Sequence, residues 1–544
     1  MQRFKSLFLL IAWLTGFSVL SAQDHEYRHK IIDITNYSFH VELNDSTDII
    51  QGDAEITFLL LQNSDSIYFD LANVNNTGRG MQIDAFRDKN GPVNYRHTGD
   101  KIWINSTRTA KNTVNTYTIK YHGIPSDGLI ISKNKFGDRT FFGDNWPDRA
   151  HQWLPCVDHP SVKALLEFTV VAPSHYQVIA NGTIQKESAD KGVITSSWKS
   201  NEPLPTKIIV IGVAKFARQD LAAVSGVPIS SWVYPQNKTE GFYDYSAALK
   251  PMVYFSKLIA PYPFSKLANV QSTTLYGGME NAGCVFYSEN SVTGLGRTER
   301  LMAHEISHQW FGDAVTENDW YHIWLSEGFA TYLTGMYIEQ TYGRSAFLKH
   351  INREKQEVFD FEKNHLSPVI DTSLSISHEL LSPNTYQKAS WVLHMLRKEL
   401  GDSLFIECLQ TFYREYKFKN AMTEDFRKVV EDLSGRDFKK FFEQWLYKPG
   451  HPVLGITWAY RDHSLIIEVN QLQKNTVYQF PLEIKILNKN SESSQFKIDI
   501  SEVSQKFTFD YTENPSEIIA DPGNWLLMEA VVSKKDLIDG SFNR

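Results

Sequence analysis

The chain has 544 residues, 42% of them hydrophobic and 22% charged, with a formal net charge of −8. That length exceeds a single hydrophobic core and implies two to four domains. The mild acidity excludes the basic stripe of a nucleic-acid-binding protein.

Residues 1–22 read as a secretory signal peptide. Arg3 and Lys5 precede the apolar run LFLLIAWLTGFSVL (7–20), and the small residues Ser21 and Ala22 follow. The run is shorter than the ~20 residues of a spanning helix. Cleavage is expected near residues 21–23, leaving an exported, periplasmic or secreted protein with no stable membrane span.

Residues 23–237 have β texture. YSFHVEL (37–43), DAEITFLLL (53–61), TYTIKYHG (116–123), LLEFTVVAP (165–173) and KIIVIGVAKFA (207–217) are short β-branched or aromatic runs separated by turn residues. They predict an N-terminal β sandwich-like domain. Residues 238–450 turn helical, with apolar spacing near 3.6 in RTERLMAHEISHQWFG, WLSEGFATYLTGMYIEQTYG and YQKASWVLHMLRKELG. Gly343, Gly401 and Gly435 stand at expected helix ends. After Pro452 the β texture returns, predicting a small C-terminal β sandwich domain over 451–533 and a tail over 534–544. The fold class is therefore α+β and multidomain. Cys156, Cys284 and Cys408 are too few for a disulfide scaffold. One bridge is compatible with them, between a pair the sequence does not specify.

The chemistry concentrates in the middle domain, at LMAHEISHQWFGD (301–313). Residues four apart share a helix face, so His304 and His308 can present ring nitrogens to one point. Glu305, rotated by about 100°, reaches a water at that point rather than the point itself. A catalytic zinc site needs a third protein ligand and keeps one position for water. Glu327, in WLSEGFATY (324–332), lies 18 intervening residues beyond His308. That spacing allows a loop and a second helix to return a carboxylate to the histidines. One zinc ion on His304, His308 and Glu327, with Glu305 as general base, is the expectation. A second stretch, YGGMEN (276–281), joins adjacent glycines to Glu280. By pattern alone it favours a plain turn with an exposed glutamate.

GGMEN, HEISHQWFGD and LSEGFATY, in that order and spacing, resemble the zinc aminopeptidase family of gluzincin metallopeptidases that contains aminopeptidase N and the leukotriene hydrolase-type enzymes. WLPCVDHPSVKALLEFTV (153–170), YQKASWVLHMLRKELG (386–401) and GHPVLGITW (450–458) extend the resemblance over nearly all of the mature chain, in the family's short form without the C-terminal helical domain. It implies a thermolysin-like, mainly helical catalytic domain and an enzyme that removes N-terminal residues from peptides with a free N-terminus. In this reading Tyr386 donates a hydrogen bond to the developing oxyanion. Glu280 binds the α-amino group, and Gly277, Gly278, Met279 and Asn281 line the substrate backbone.

The sequence also departs from the family. The Gln or Glu that assists the amine-binding glutamate falls in FFGDNWPDRA (141–150), where Trp146 stands at the aligned position and Asp144 two residues earlier. Asp144 replaces the missing group or Trp146 walls the pocket; both alternatives stand. Asp313 and Ser326 replace asparagines common in the family. Thr331, one turn after Glu327, is either a partner of that ligand or a surface residue. Competing functions are an endopeptidase of the same zinc architecture and an inactive peptide-binding relative. A lipid epoxide hydrolase fits poorly, because His378 occupies the position of the Asp that the resemblance assigns to that activity.

Overall fold

The computed structural model describes residues 31–105, 111–374, 377–474, 476–488 and 492–535. The expected signal peptide and most of the expected tail lie outside the described residues. No described helix is long and apolar enough to cross a membrane.

The N-terminal part is built on strands whose alternate residues are buried, as a half-buried strand requires. Ile32–Glu42 is typical: Ile32, Ile34, Tyr37, Phe39 and Val41 point into the core. This strand pairs antiparallel with Ile50–Leu60 and parallel with Lys163–Pro173, at the centre of a nine-stranded sheet. A four-stranded sheet, ordered 177–180, 211–214, 139–143, 129–133, carries Arg139–Gly143 toward the middle of the molecule. Asn145, just beyond that strand, is fully buried. Its amide donates to the carbonyls of Thr206 and Ile209 and accepts from the Trp153 indole, so the 144–147 turn is pinned from three sides.

A mixed five-stranded sheet follows, in the order 217–220, 229–233, 267–272, 284–288, 278–279. Its first two strands precede residue 238, so this sheet crosses the division drawn from texture at 237. Ile229–Val233 pairs in parallel with Leu267–Ser272, which joins it to the catalytic region. Gly278–Met279 forms one edge of the sheet and pairs on one side only, with Tyr287 and Phe286.

The helices bearing the motifs pack beside this sheet. They are Glu299–His308, Trp324–Tyr342, Arg344–Glu362 and Ala389–Leu400. Trp324–Tyr342 is apolar all round and buried over Trp324–Ile338, as expected of a helix enclosed by other helices. In Thr423–Ser434 the Asp425 carboxylate accepts from the Met422 N–H and so closes the first turn. The Thr423 hydroxyl accepts from the Trp324 indole instead of capping its own helix.

Two further sheets form the C-terminal part. One has four strands, ordered 504–510, 464–471, 453–461, 529–534; the other has three, ordered 493–500, 480–488, 515–520. Cys156, Cys284 and Cys408 are all buried and none is in a disulfide, so the bridge that the sequence allowed is not formed.

Candidate active site

Glu299–His308 and Trp324–Tyr342 bring three ligand atoms to one place. Nε2 of His304 and Nε2 of His308 are 3.2 Å apart, and the Glu327 Oε2 lies 3.5 Å and 3.3 Å from them. All three ligand atoms fall within 4.8 Å of one another. Glu327 stands in the first turn of its helix, where a carboxylate is favoured by the helix dipole. The far side of the His308 ring is oriented as metal-binding histidines usually are: Nδ1 faces the Phe311 carbonyl at 3.3 Å and the Ser326 hydroxyl at 3.1 Å. Ser326 thus has a defined task where the family commonly has asparagine.

The electrostatics suit a cation. Burial lowers His308, but the Glu327 charge and hydrogen bond outweigh it and raise the ring to about 10. Burial likewise pushes Glu327 up, yet His308 and His304 hold it well below the usual carboxylate range. The Glu327 carboxylate therefore favours a positive charge at the His308 ring, while burial disfavours one at His304. A metal cation would meet the same need with better geometry, displacing the proton as metal binding does.

Glu305 is buried and its acidity is tuned by its surroundings. Burial raises its carboxyl well above 4.5; His308 opposes this, and Glu280 and Glu327 reinforce it. A raised carboxylate is a better base near neutral pH. A Cβ on Gly278 would lie 2.3 Å from Glu305 Oε1, so glycine lets the edge strand approach the Glu305 carboxylate this closely. Gly277 differs. Its Cβ direction is open, with Leu301 Cδ1 nearest at 3.9 Å. The two glycines therefore do separate things: Gly278 admits Glu305, and Gly277 leaves space.

Met279, Glu280 and Asn281 are buried beyond this contact. Glu280 Oε1 and both polar atoms of the Asn281 amide have no hydrogen-bond partner among the described residues. Buried polar groups are rarely left so, and here they cluster next to the base. Gln309, on the residue after the histidine helix, secures this segment. Its Nε2 donates to the Glu280 carbonyl at 2.5 Å and to Asp313 Oδ2 at 2.8 Å, while its Oε1 accepts from Tyr262 and the Gly283 N–H. Burial, helped by Glu280, pushes Asp313 well above the carboxylate range. His308, Lys207 and Lys163 pull the other way. The sequence argument did not single out Gln309, although it lies next to the motif.

Tyr386 lies in a wide π-type turn, Asn384–Lys388, and its ring stacks on His304 at 6.2 Å between centroids. Burial, then the Glu327 and Glu280 charges, raise its hydroxyl well above 10, so it remains a donor across the physiological range.

Asp144 is fully buried and both oxygens are engaged. Oδ1 is 2.6 Å from Arg149, and Oδ2 accepts from the Thr274 hydroxyl at 2.9 Å and the Leu275 N–H at 3.1 Å. Such a carboxylate fastens the loop leading into GGMEN. Trp146 is buried edge-on against Tyr276 at 5.9 Å and Trp320 at 5.8 Å, forming an aromatic wall. Thr331 is also buried, and its hydroxyl donates to the Glu327 backbone carbonyl rather than to its carboxylate.

Behind this wall lies a pair that sequence reasoning missed. Lys207 Nζ and Glu317 Oε1 are 2.5 Å apart, with side chains 1% and 0% exposed. Lys163 joins the same seam between the N-terminal and helical parts, donating to the carbonyls of Asp313 and Ala314 at 3.1 Å and 2.9 Å. No short-range pattern links residues so far apart in sequence.

A two-histidine, one-glutamate centre with an adjacent buried glutamate, beside an edge strand, defines the class of a gluzincin-type metallopeptidase site. The comparisons agree. Residues 34–208 match the Peptidase M1 N-terminal domain and residues 243–445 match the Peptidase family M1 domain. The chain belongs to peptidase family M1. It is 27% identical over 344 residues to Aminopeptidase M1-D of Oryza sativa subsp. japonica, covering 59% of this chain and 38% of the relative. It is 27% identical over 382 residues to Probable aminopeptidase 2 of Sulfurisphaera tokodaii, covering 65% and 48%. It is 26% identical over 339 residues to Glutamyl aminopeptidase of Sus scrofa, covering 58% and 35%. The matched region thus spans less than half the length of these curated relatives. Among solved structures, Legionella pneumophila aminopeptidase A in complex with aspartic acid superposes with a TM-score of 0.80 at 16% identity, over 92% of this chain and 59% of that one. That likeness is one of fold.

Proposed function

We propose that this chain is a zinc-dependent aminopeptidase hydrolysing the N-terminal bond of peptides. One observation carries the reading: His304, His308 and Glu327 converge beside a base, Glu305, that touches the edge strand leading to a buried carboxylate, Glu280, with an unpartnered oxygen. Zinc held by these three residues would polarise the scissile carbonyl and make water more acidic.

The chain's own groups do the rest. The substrate backbone adds to the open side of Gly278–Met279 as a further strand, a common mode of peptide recognition. Its α-ammonium meets Glu280, and this fixes the first peptide bond over Glu305. Glu305 takes a proton from the attacking water and passes it to the departing amine. Tyr386 donates its hydroxyl proton in a hydrogen bond to the developing oxyanion, an interaction strongest in the transition state. Trp146, Tyr276 and Trp320 wall the space beside the amine site, while Asp144 holds the 274–276 loop in place.

The test is hydrolysis of a panel of aminoacyl-anilides by the purified chain, with and without a chelator, followed by added zinc. The reading expects turnover that the chelator abolishes and zinc restores. Turnover insensitive to chelation would remove the zinc mechanism. Zinc binding with no turnover of any substrate would favour a peptide-binding relative.

A further inference from the structure

The turn that carries Tyr386 is anchored by a chain of polar contacts that starts from buried Lys388 and Glu362 and ends at the exposed Glu529 in the C-terminal β part of the molecule. Two residues after the tyrosine, the Lys388 side chain is fully enclosed, and its Nζ donates to Glu362 Oε1 at 2.6 Å and to the Gly450 carbonyl at 2.8 Å. Glu362 ends the helix Arg344–Glu362 and directs its other oxygen to His451 Nδ1 at 2.5 Å. His451 Nε2 in turn lies 3.1 Å from Glu529 Oε1, on the strand Glu529–Lys534. The His451 ring stacks on Phe359 at 4.2 Å, which fixes its plane. At the other end of the turn, the Asn384 amide donates to the Ser367 carbonyl at 2.7 Å and faces its hydroxyl at 3.1 Å.

Burying an ammonium and a carboxylate costs several kcal/mol for each ion, and an apolar pair of similar size commonly holds a fold as well or better. What the ionic chain adds is direction. Each of its atoms is held at hydrogen-bond distance along a fixed line, and the line ends at a turn whose tyrosine must meet an oxyanion. A displacement of ~1 Å at such a group can cost ~10²-fold in rate.

We propose that Lys388, Glu362 and His451 are positioning residues for the Tyr386 hydroxyl, and that through Glu529 the C-terminal β part sets where that hydroxyl stands. The proposal rests on the reading of Tyr386 as oxyanion donor. None of the three residues touches the substrate; they act through the geometry of the Asn384–Lys388 turn.

The experiment is a double-mutant cycle on the full chain loaded with zinc, reading kcat, KM and zinc content separately. Tyr386→Phe alone is expected to lower kcat ~100-fold; an unchanged kcat would remove the oxyanion role and this proposal with it. Given that loss, Lys388→Met is expected to lower kcat ~10-fold with KM within about twofold and zinc retained. Combined with Tyr386→Phe, it should cost less than ~2-fold more, because no hydroxyl remains to be positioned. Equal losses in both backgrounds, or none in either, would overturn the positioning role while leaving the role of Tyr386 intact. Where Lys388→Met does not fold, His451→Gln decides. It should lower kcat ~3-fold with KM unchanged and lose that effect beside Tyr386→Phe, as coupled sites do. A flat kcat overturns the proposal.

Discussion

Two clusters in this protein are made of similar ingredients and arranged to opposite ends. In one, His304, His308 and Glu327 converge on a point, and the nearby Glu280 and Asn281 keep polar atoms without partners. In the other, Lys388, Glu362, His451 and Glu529 are spent on one another, each within 3.1 Å of the next. Residue type therefore does not separate a reacting site from a supporting one. The direction of the unpaired atoms does. A group left unsatisfied inside a protein is costly, and several such atoms gathered beside one metal-ligand set suit an incoming ligand.

The sharpest break between the two kinds of cluster comes from metal removal. Chelation should abolish turnover while leaving the paired clusters intact, so circular dichroism of the folded chain should change little as activity disappears. Loss of the fold together with the metal would make the convergent cluster structural.

Glu305→Gln is the next largest effect. It should reduce kcat by ~10³- to 10⁴-fold with zinc still bound, in keeping with the loss of a general base. A variant with near-native kcat would exclude Glu305 from that role.

A paired cluster should answer in stability instead. Lys207→Met leaves Glu317 buried and unpaired, which costs ~3–5 kcal/mol. Urea denaturation should show this, and adding Glu317→Leu should recover most of it. A destabilisation below ~1 kcal/mol would mean that Glu317 is not left as the uncompensated buried charge that its enclosure implies.

Glu280→Ala belongs to the convergent side and should be milder, lowering kcat/KM for free-amine substrates by ~10–100-fold, the worth of a hydrogen bond to a charged group. Its effect on N-blocked substrates should be small, and equal losses on both would deny it the amine.

The smallest effect concerns a paired histidine far from the reaction. Burial alone would lower His151, but the hydrogen bond and charge of Asp158 win and raise it to about 9 from 6.5. A group raised on folding stabilises fully below its unfolded value and ceases to do so as pH climbs through the folded one. The melting-temperature gap between the native chain and His151→Gln should therefore be widest below pH 6.5 and close toward pH 9. A gap that widens over that interval would contradict the pairing.

The convergent site was readable from sequence because its parts are short-range. His304 and His308 share a helix face by periodicity, and Glu327 needs only one loop to return. The paired groups escaped because their partners are remote: Lys207 finds Glu317, and Asp144 finds Thr274 and Leu275, across domains. Texture placed Ala217–Asp220 and Ile229–Val233 within the N-terminal β region without naming them as strands, and alternation says nothing about which sheet a strand joins. The pairing with Leu267–Ser272 shifted them to the catalytic side. Asp144 and Trp146 were indistinguishable as neighbours of Glu280 until their contacts were seen: one is committed to Arg149 and the loop at 274, and the other packs as a wall.

The most direct test of the central claim is the ratio of kcat/KM for leucyl-anilide to that for N-acetyl-leucyl-anilide, measured on the zinc-loaded chain. Glu280 beside a base and a metal centre predicts ready cleavage of the free-amine substrate and none detectable of the acetylated one. Equal cleavage of the two, or a preference for the blocked substrate, would contradict an enzyme that works from the N-terminus.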